Sequence, residues 1–116
     1  MGTSCTELLV GRVLDDEGLT AGLNDPEARV LVEWLVEEVE KIGAAESDDE
    51  QAAQKVEQLC QRARLIRKFV ALWCHQQDHG AAAQFAATSR LGWPLPVSDQ
   101  RDPCEVMLHI LACEKG

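Results

Sequence analysis

One apolar repeat constrains the fold of this chain more than any other feature of the sequence. Over residues 52 to 73, apolar side chains recur at alternating intervals of four and three residues. They are Ala52, Val56, Leu59, Ala63, Ile66, Val70 and Trp73. This spacing lines up one stripe along an α-helix and is typical of a helix that packs against a second helix at a shallow angle. The repeat therefore predicts a partner helix.

The preceding segment supplies the partner helix. Its apolar residues follow a helical period, and Glu33, Glu37 and Glu40 fall outside their stripe. The stripe consists of Ala28, Leu31, Val32, Leu35, Val39 and Ile42. The link over residues 44–48 is too short for anything but an antiparallel neighbour. We therefore predict a long antiparallel helical hairpin, with arms over about residues 25–42 and 48–79.

Signals for helix starts recur along the chain. A side-chain acceptor is followed three residues later by Glu four times, as expected where a helix begins. The pairs are Ser4/Glu7, Asn24/Glu27, Ser47/Glu50 and Asp102/Glu105. Together with helix-ending glycines, they predict three shorter helices near 5–14, 81–91 and 103–114, and a proline-containing strap over 92–102. The expected fold is an all-α compact helical bundle in a single domain over residues 1–116.

The two arms of the predicted hairpin differ in length. At ~1.5 Å per residue the second arm runs roughly 45 Å and the first roughly 27 Å, so residues beyond about 65 extend past the partner. There a second apolar stripe of Leu65, Phe69 and Leu72 joins Trp73. Either the short helices cover this surface or a second copy of the chain does. We favour a non-enzymatic helical protein-interaction module that self-associates as a homodimer through these four residues.

Charge is distributed unevenly along this acidic chain. The net charge is −9, and residues 1–50 carry fourteen acidic side chains against three basic ones. Residues 51–90 are basic, and Arg64 and Lys68 share a predicted helical face with His75 and His79. We predict that this face contacts an acidic partner segment or a small anion; the alternative is internal pairing with the acidic first half. Nucleic acid is not expected as a partner, because nonspecific binding requires Lys and Arg to neutralise phosphates.

The histidines support a second functional hypothesis. His75 and His79 are spaced i, i+4 on the predicted long arm, where two imidazoles can share a metal ion, and His109 is a conceivable third ligand. A metal-dependent enzyme of the helical-bundle type is therefore the alternative. Arg64 and Lys68 argue against it, because cations on the same face repel a metal ion. The sequence holds no phosphate-binding loop or catalytic triad, so no cofactor is expected.

Three further features bear on location. No segment approaches the ~20 consecutive apolar residues that a membrane span needs, so no membrane partner is expected. The five cysteines form no Cys-x-x-Cys motif, and Cys60 and Cys74 lie roughly 21 Å apart on one predicted helix, which indicates reduced thiols and a cytoplasmic protein. The first six residues, MGTSCT, match the pattern for N-myristoylation, although the acidic residues that follow do not favour membrane anchoring.

Overall fold

Helices account for all the regular structure in the computed structural model, which describes residues 5–95 and 102–115. The α-helices are α1 (Cys5–Asp15), α2 (Asp25–Ala45), α3 (Asp49–Val70), α4 (His79–Thr88) and α5 (Pro103–Lys115). A 3₁₀ turn spans Glu17–Leu19, and one π-helical turn, called the π turn below, spans Ala71–His75. The predicted all-α helical bundle is confirmed.

Helices α2 and α3 pack against each other along their apolar stripes. A link of three residues, 46–48, joins them and makes them antiparallel neighbours. The buried residues of the two stripes are Leu31, Leu35, Val39, Ala52, Val56, Ala63, Ile66 and Val70. Full burial of one large aliphatic side chain stabilises a fold by about 1.5–3 kcal/mol, so this seam is a main source of stability.

The two arms of the hairpin are closer in length than the sequence predicts. Helix α2 continues through Gly43 to Ala45, and α3 ends at Val70, so the arms hold 21 and 22 residues. The predicted second arm over 48–79 is therefore too long. With nearly equal arms, little of α3 extends past its partner.

The chain beyond α3 changes its helical type and then its direction. The π turn runs on to His75, and a bend follows at Gln77, whose φ of +52° lies in the left-handed region. A new helix starts because Asp78 caps it: Oδ1 of Asp78 accepts the backbone N–H of Ala81 at 3.0 Å. His79 thus belongs to α4 rather than to the end of α3.

The remaining helices pack around the hairpin in a molecule of 50 × 27 × 20 Å. Helices α1 and α5 each contact both α2 and α3, and α4 packs beside the π turn. Helix α1 buries Leu9 and Val13. Helix α5 buries the residues that its sequence pattern favours for the core, Val106, Met107, Ile110 and Leu111. One continuous core results.

Two of the predicted capping pairs, at the starts of α2 and α3, can be compared with the structure, and Ser4 of the first pair lies outside the described residues. At α2 the backbone N–H of Asn24 donates to Oε2 of Glu27 at 3.1 Å, as the sequence predicts. At α3 the capping residue is Asp48 rather than Ser47, and its carboxylate accepts the N–H of Glu50 at 2.9 Å. An aspartate one position closer to the helix satisfies the same free N–H groups.

Several findings bear on the predictions about location. In the part of the chain that the structure describes, no helix combines the length and apolarity needed to cross a membrane. The cysteines described, Cys60, Cys74, Cys104 and Cys113, are free thiols. Burial, with the nearby carboxylates of Glu27 and Asp102, raises the pKa of Cys74 to about 11. The myristoylation pattern begins in residues 1–4, which lie outside the described residues.

Candidate functional site

The apolar residues beyond position 65 are largely covered by the chain itself. Phe69 is fully buried and Trp73 is 7% exposed. The ring of Phe69 stacks on Trp73 at a centroid distance of 5.9 Å and meets the edge of Trp93 at 5.6 Å. Leu65 and Leu72 are partly buried against the same core. Contrary to the sequence prediction, Phe69 and Trp73 are therefore not available to a second copy, because the segment holding Trp93 and helix α4 close over them.

The two cations of the predicted basic face have different surroundings. Nη2 of Arg64 lies 2.8 Å from Oδ2 of Asp16, so this residue pairs internally with the acidic first half of the chain. Nζ of Lys68 instead lies 4.8 Å from the centre of the Phe85 ring. The internal alternative therefore holds for Arg64, whereas Lys68 rests on an aromatic face and remains exposed.

The three histidines lie on three different elements. His75 closes the π turn, His79 begins α4, and His109 is exposed on α5. The chain bends between His75 and His79, so they do not share one helical face as predicted. Among residues 5–95 and 102–115, no group of three or more His, Cys, Asp or Glu is placed to hold a metal ion.

His75 pairs with a buried carboxylate. Its Nε2 lies 2.7 Å from Oε2 of Glu27, a residue that is only 3% exposed. Glu27 also accepts the backbone N–H of Asn24 at 3.1 Å and its side-chain amide at 3.4 Å. These bonds join the start of α2 to the π turn. Since the donors satisfy the buried carboxylate, the arrangement is that of a structural contact.

A groove that the sequence analysis did not predict runs between α2 and α5. Its volume is about 320 Å³, its walls are mainly apolar, and carboxylates stand at its edge. The lining residues are Val30, Glu33, Trp34, Glu37, Leu108, Leu111 and Ala112. We call these seven residues the open groove. It is a surface feature built from two neighbouring helices, the geometry in which partner helices commonly dock.

Two residues of the open groove have surroundings that cost free energy in the free chain. Leu108 is 55% exposed, although it is a large aliphatic side chain beside other apolar groups. Trp34 is 6% exposed, and its indole N–H is buried with no hydrogen-bond acceptor. An unsatisfied buried donor costs about 1–3 kcal/mol. The open groove therefore offers apolar area at Leu108, whereas the Trp34 donor is enclosed by the chain itself.

The other side of α5, toward α3, is filled. Nε and Nη2 of Arg62 donate to the two carboxylate oxygens of Glu114 at 2.9 and 2.6 Å. Trp93 lies in the irregular segment over residues 91–95, within the part of the strap that the structure describes. It donates its indole N–H to the same carboxylate, and its ring lies 5.0 Å beneath the Arg62 guanidinium. Burial raises the pKa of Glu114, but the hydrogen bonds from Arg62 and Trp93 outweigh it and lower the pKa below its ordinary value. We call Arg62, Trp93 and Glu114 the closed seam.

The sequence carried a weak signal for the open groove. Trp34 lies outside the apolar stripe identified on α2, and Leu108 lies outside the apolar set of α5. Off-stripe apolar residues are common on protein surfaces and do not by themselves mark a site. Only the packing of α5 on α2 brings the two together, so periodicity could not have found the groove.

The geometry places the chain in the broad class of helical bundles with a surface groove between two helices. The chain matches no protein-family model, no curated protein and no solved structure. A fold class of this kind hosts many unrelated functions. Function must therefore be inferred from the chemistry of the chain's own residues.

Proposed function

We propose that the chain is a non-enzymatic helical interaction module that binds a basic, amphipathic segment of a partner protein in the open groove. The observation that carries the proposal is Leu108, a large aliphatic side chain that is 55% exposed beside the other apolar residues of the open groove. A docked segment would cover Leu108 and the apolar walls beside it. Amphipathic helices bind grooves of this kind through a few apolar anchors.

The edge of the groove favours a partner of positive charge. Glu33 and Glu37 are exposed beside the apolar walls, on a chain whose net charge is −9. Lys41 lies 3.9 Å from Glu37 and 3.3 Å from Glu38, so one cation is shared between two carboxylates. Lys or Arg residues flanking the partner's apolar anchors would be attracted to this edge. Binding should then weaken as salt screens the charges.

A second copy of the chain is the alternative occupant. In a two-fold dimer each surface patch meets its own copy, so Glu33 and Glu37 would face the same residues of the partner. Like charges brought together at an interface oppose association. The sequence-based argument for a homodimer also depended on Phe69 and Trp73, which are buried. A basic partner is therefore favoured over self-association.

The proposal is tested with the full chain and a designed helical peptide. The peptide carries leucines at positions i, i+3, i+4 and i+7 and lysines on its other face. Isothermal titration calorimetry measures the affinity, and ¹⁵N spectra of the three tryptophan indoles locate the site after assignment with Trp34→Phe. We expect saturable binding that weakens with added salt, and we expect the largest indole shift at Trp34.

A matched pair of variants locates the binding surface. Leu108→Ser removes the exposed leucine of the open groove, and Leu8→Ser removes a leucine of similar exposure on α1. We expect Leu108→Ser to weaken binding at least about tenfold, the effect of losing one apolar anchor, and Leu8→Ser to leave it unchanged. Equal losses in both variants, or no saturable binding to the unmodified chain, would contradict the proposal.

Light scattering on the free chain distinguishes the two occupants. We expect the monomer mass of 12.8 kDa. A mass twice as large that returns to the monomer value in Leu108→Ser would assign the groove to a second copy and overturn the basic partner.

A further inference from the structure

Two adjacent cations on this acidic protein have no carboxylate partner in the part of the chain that the structure describes. Five other basic side chains are paired with acidic ones; they are Arg12, Lys41, Lys55, Arg62 and Arg64. Arg67 and Lys68 form no ion pair within residues 5–95 and 102–115, although the chain holds 20 acidic and 11 basic residues. The fold thus leaves a local positive charge unneutralised where acidic side chains are abundant.

Both cations line one cavity. It has a volume of about 470 Å³, and the side chain of Gln76 adds an amide to its wall. Nη1 of Arg67 donates to the carbonyl oxygen of Ala21 at 3.0 Å, while its Nε is buried without an acceptor. Lys68 has no closer partner than the ring of Phe85. The donors left for a ligand in the cavity are therefore Nη2 of Arg67 and Nζ of Lys68, which form no hydrogen bond within residues 5–95 and 102–115.

An apolar surface adjoins these cations. A neighbouring cavity of about 360 Å³ shares Lys68 and Leu72 with the first and is also lined by Ala81 and Phe85. The two cavities thus lie side by side, with a cationic end at Arg67 and an apolar end at Phe85. A ligand that spans both must carry a negative charge at one end and an aliphatic part at the other.

We propose that these two cavities bind a small amphipathic carboxylate. Its carboxylate lies between Arg67 and Lys68, because a carboxylate oxygen forms strong charge-assisted hydrogen bonds with a guanidinium N–H and with an ammonium group. Its aliphatic tail lies along Leu72 and Phe85, where it removes apolar surface from water. A phosphate ion satisfies the cations but leaves this apolar surface exposed, so the carboxylate is the better fit. The site is separate from the open groove and does not depend on the proposed function.

The site is tested by titrating the full chain with sodium octanoate, below the concentration at which micelles form. Sodium acetate and inorganic phosphate are titrated at the same ionic strength, and ¹H–¹⁵N spectra report the position of each. We expect octanoate to bind at least about tenfold more tightly than acetate, because each buried methylene contributes about 0.8 kcal/mol. Phosphate should bind more weakly than octanoate.

Three substitutions separate a local site from a general charge effect. Lys68→Gln should weaken octanoate binding about tenfold, the loss expected for one charge-assisted hydrogen bond, whereas Lys68→Arg should retain it. Arg29→Gln changes the net charge equally at an exposed position on α2 outside both cavities, and it should have no effect. Leu108→Ser should also leave octanoate binding intact.

Four results would overturn the inference. Octanoate binding that does not saturate, or that is no tighter than acetate binding, would show that the apolar end of the site does not bind the aliphatic tail. Phosphate binding as tightly as octanoate would show that the ligand class is wrong. Equal losses of octanoate affinity in Lys68→Gln and Arg29→Gln would show that binding depends on the net charge of the protein rather than on a local contact with Lys68.

Discussion

The two sides of α5 differ in whether a third segment fills the gap beside the helix. Toward α3, the strap inserts Trp93, and Arg62 and Glu114 pair across the closed seam. Toward α2, no segment among residues 5–95 and 102–115 enters in this way, and the open groove leaves Leu108 exposed. Two packed helices therefore do not by themselves close the surface between them. A further element must supply both apolar volume and hydrogen-bond partners, from the same chain or from another one.

The largest expected change in stability comes from removing the Trp93 ring from the closed seam. Trp93→Ala should lower the free energy of unfolding by about 3–5 kcal/mol, since it removes a buried ring and leaves a cavity. Leu108→Ala, on the open side of the same helix, should change it by about 0.5 kcal/mol or less. Urea unfolding followed by circular dichroism measures both values. Similar losses of unfolding free energy in the two variants would mean that the two sides of α5 are equally well packed, which would contradict the distinction between the closed seam and the open groove.

An intermediate effect is expected from the carboxylate of the closed seam. Glu114→Gln should cost about 1–3 kcal/mol at neutral pH, because it weakens the bonds from Arg62 and Trp93 and leaves their donors poorly satisfied. The exposed Glu40→Gln on α2 is the control and should cost about 0.5 kcal/mol or less. Urea unfolding at pH 7 measures both.

The same residue predicts a dependence on acid. The pKa of Glu114 is lower in the folded protein than its ordinary value of 4.5. Its ionised form therefore stabilises the fold above pH 4.5, and this contribution is lost as the pH falls through the folded-state pKa. The stability gap between the unmodified chain and Glu114→Gln should shrink below pH 4.5. A gap that is constant from pH 7 to pH 3 would show that the charge of Glu114 contributes nothing.

The smallest effect is expected from filling the open groove with the chain's own atoms. Ala112→Leu adds aliphatic volume beside Trp34, and partial burial should stabilise the protein by at most about 1 kcal/mol. The same substitution should weaken binding of the lysine-rich peptide, because it occupies the space for an anchor. A loss of stability greater than about 1 kcal/mol would show that the groove has no room, as overpacking is destabilising.

Most helix boundaries were predictable because their signals are local. Stripes, caps and glycines act within a few residues, and α2 and α5 begin where their sequences indicate, at Asp25 and Pro103. The end of α3 was not predictable in this way. Apolar residues continue in helical spacing toward His79, whereas the π turn and the Asp78 cap interrupt the helix. A π turn changes the number of residues per helical turn, but the spacing of apolar residues in the sequence does not reveal it.

The candidate sites were less predictable than the helices. Internal pairing of Arg64 with the acidic first half of the chain was the alternative to a partner contact, and the ion pair with Asp16 favours that alternative. For Phe69 and Trp73 the sequence left open whether the short helices or a second copy cover them, and it could not indicate the contact with Trp93, which comes from a distant segment. His75 meets Glu27 rather than His79, since the bend separates the two histidines.

The sequence by itself determined the helical class, the seam between α2 and α3 and most helix starts, because each depends on residues within one or two turns. The tertiary structure alone decided which side of α5 is closed, where the open groove lies and which cations lack a partner. Arg62 meets Leu91 and Glu114 across separations of 29 and 52 residues. Contacts of this kind depend on how whole helices pack, and burial is a property of that packing rather than of local spacing.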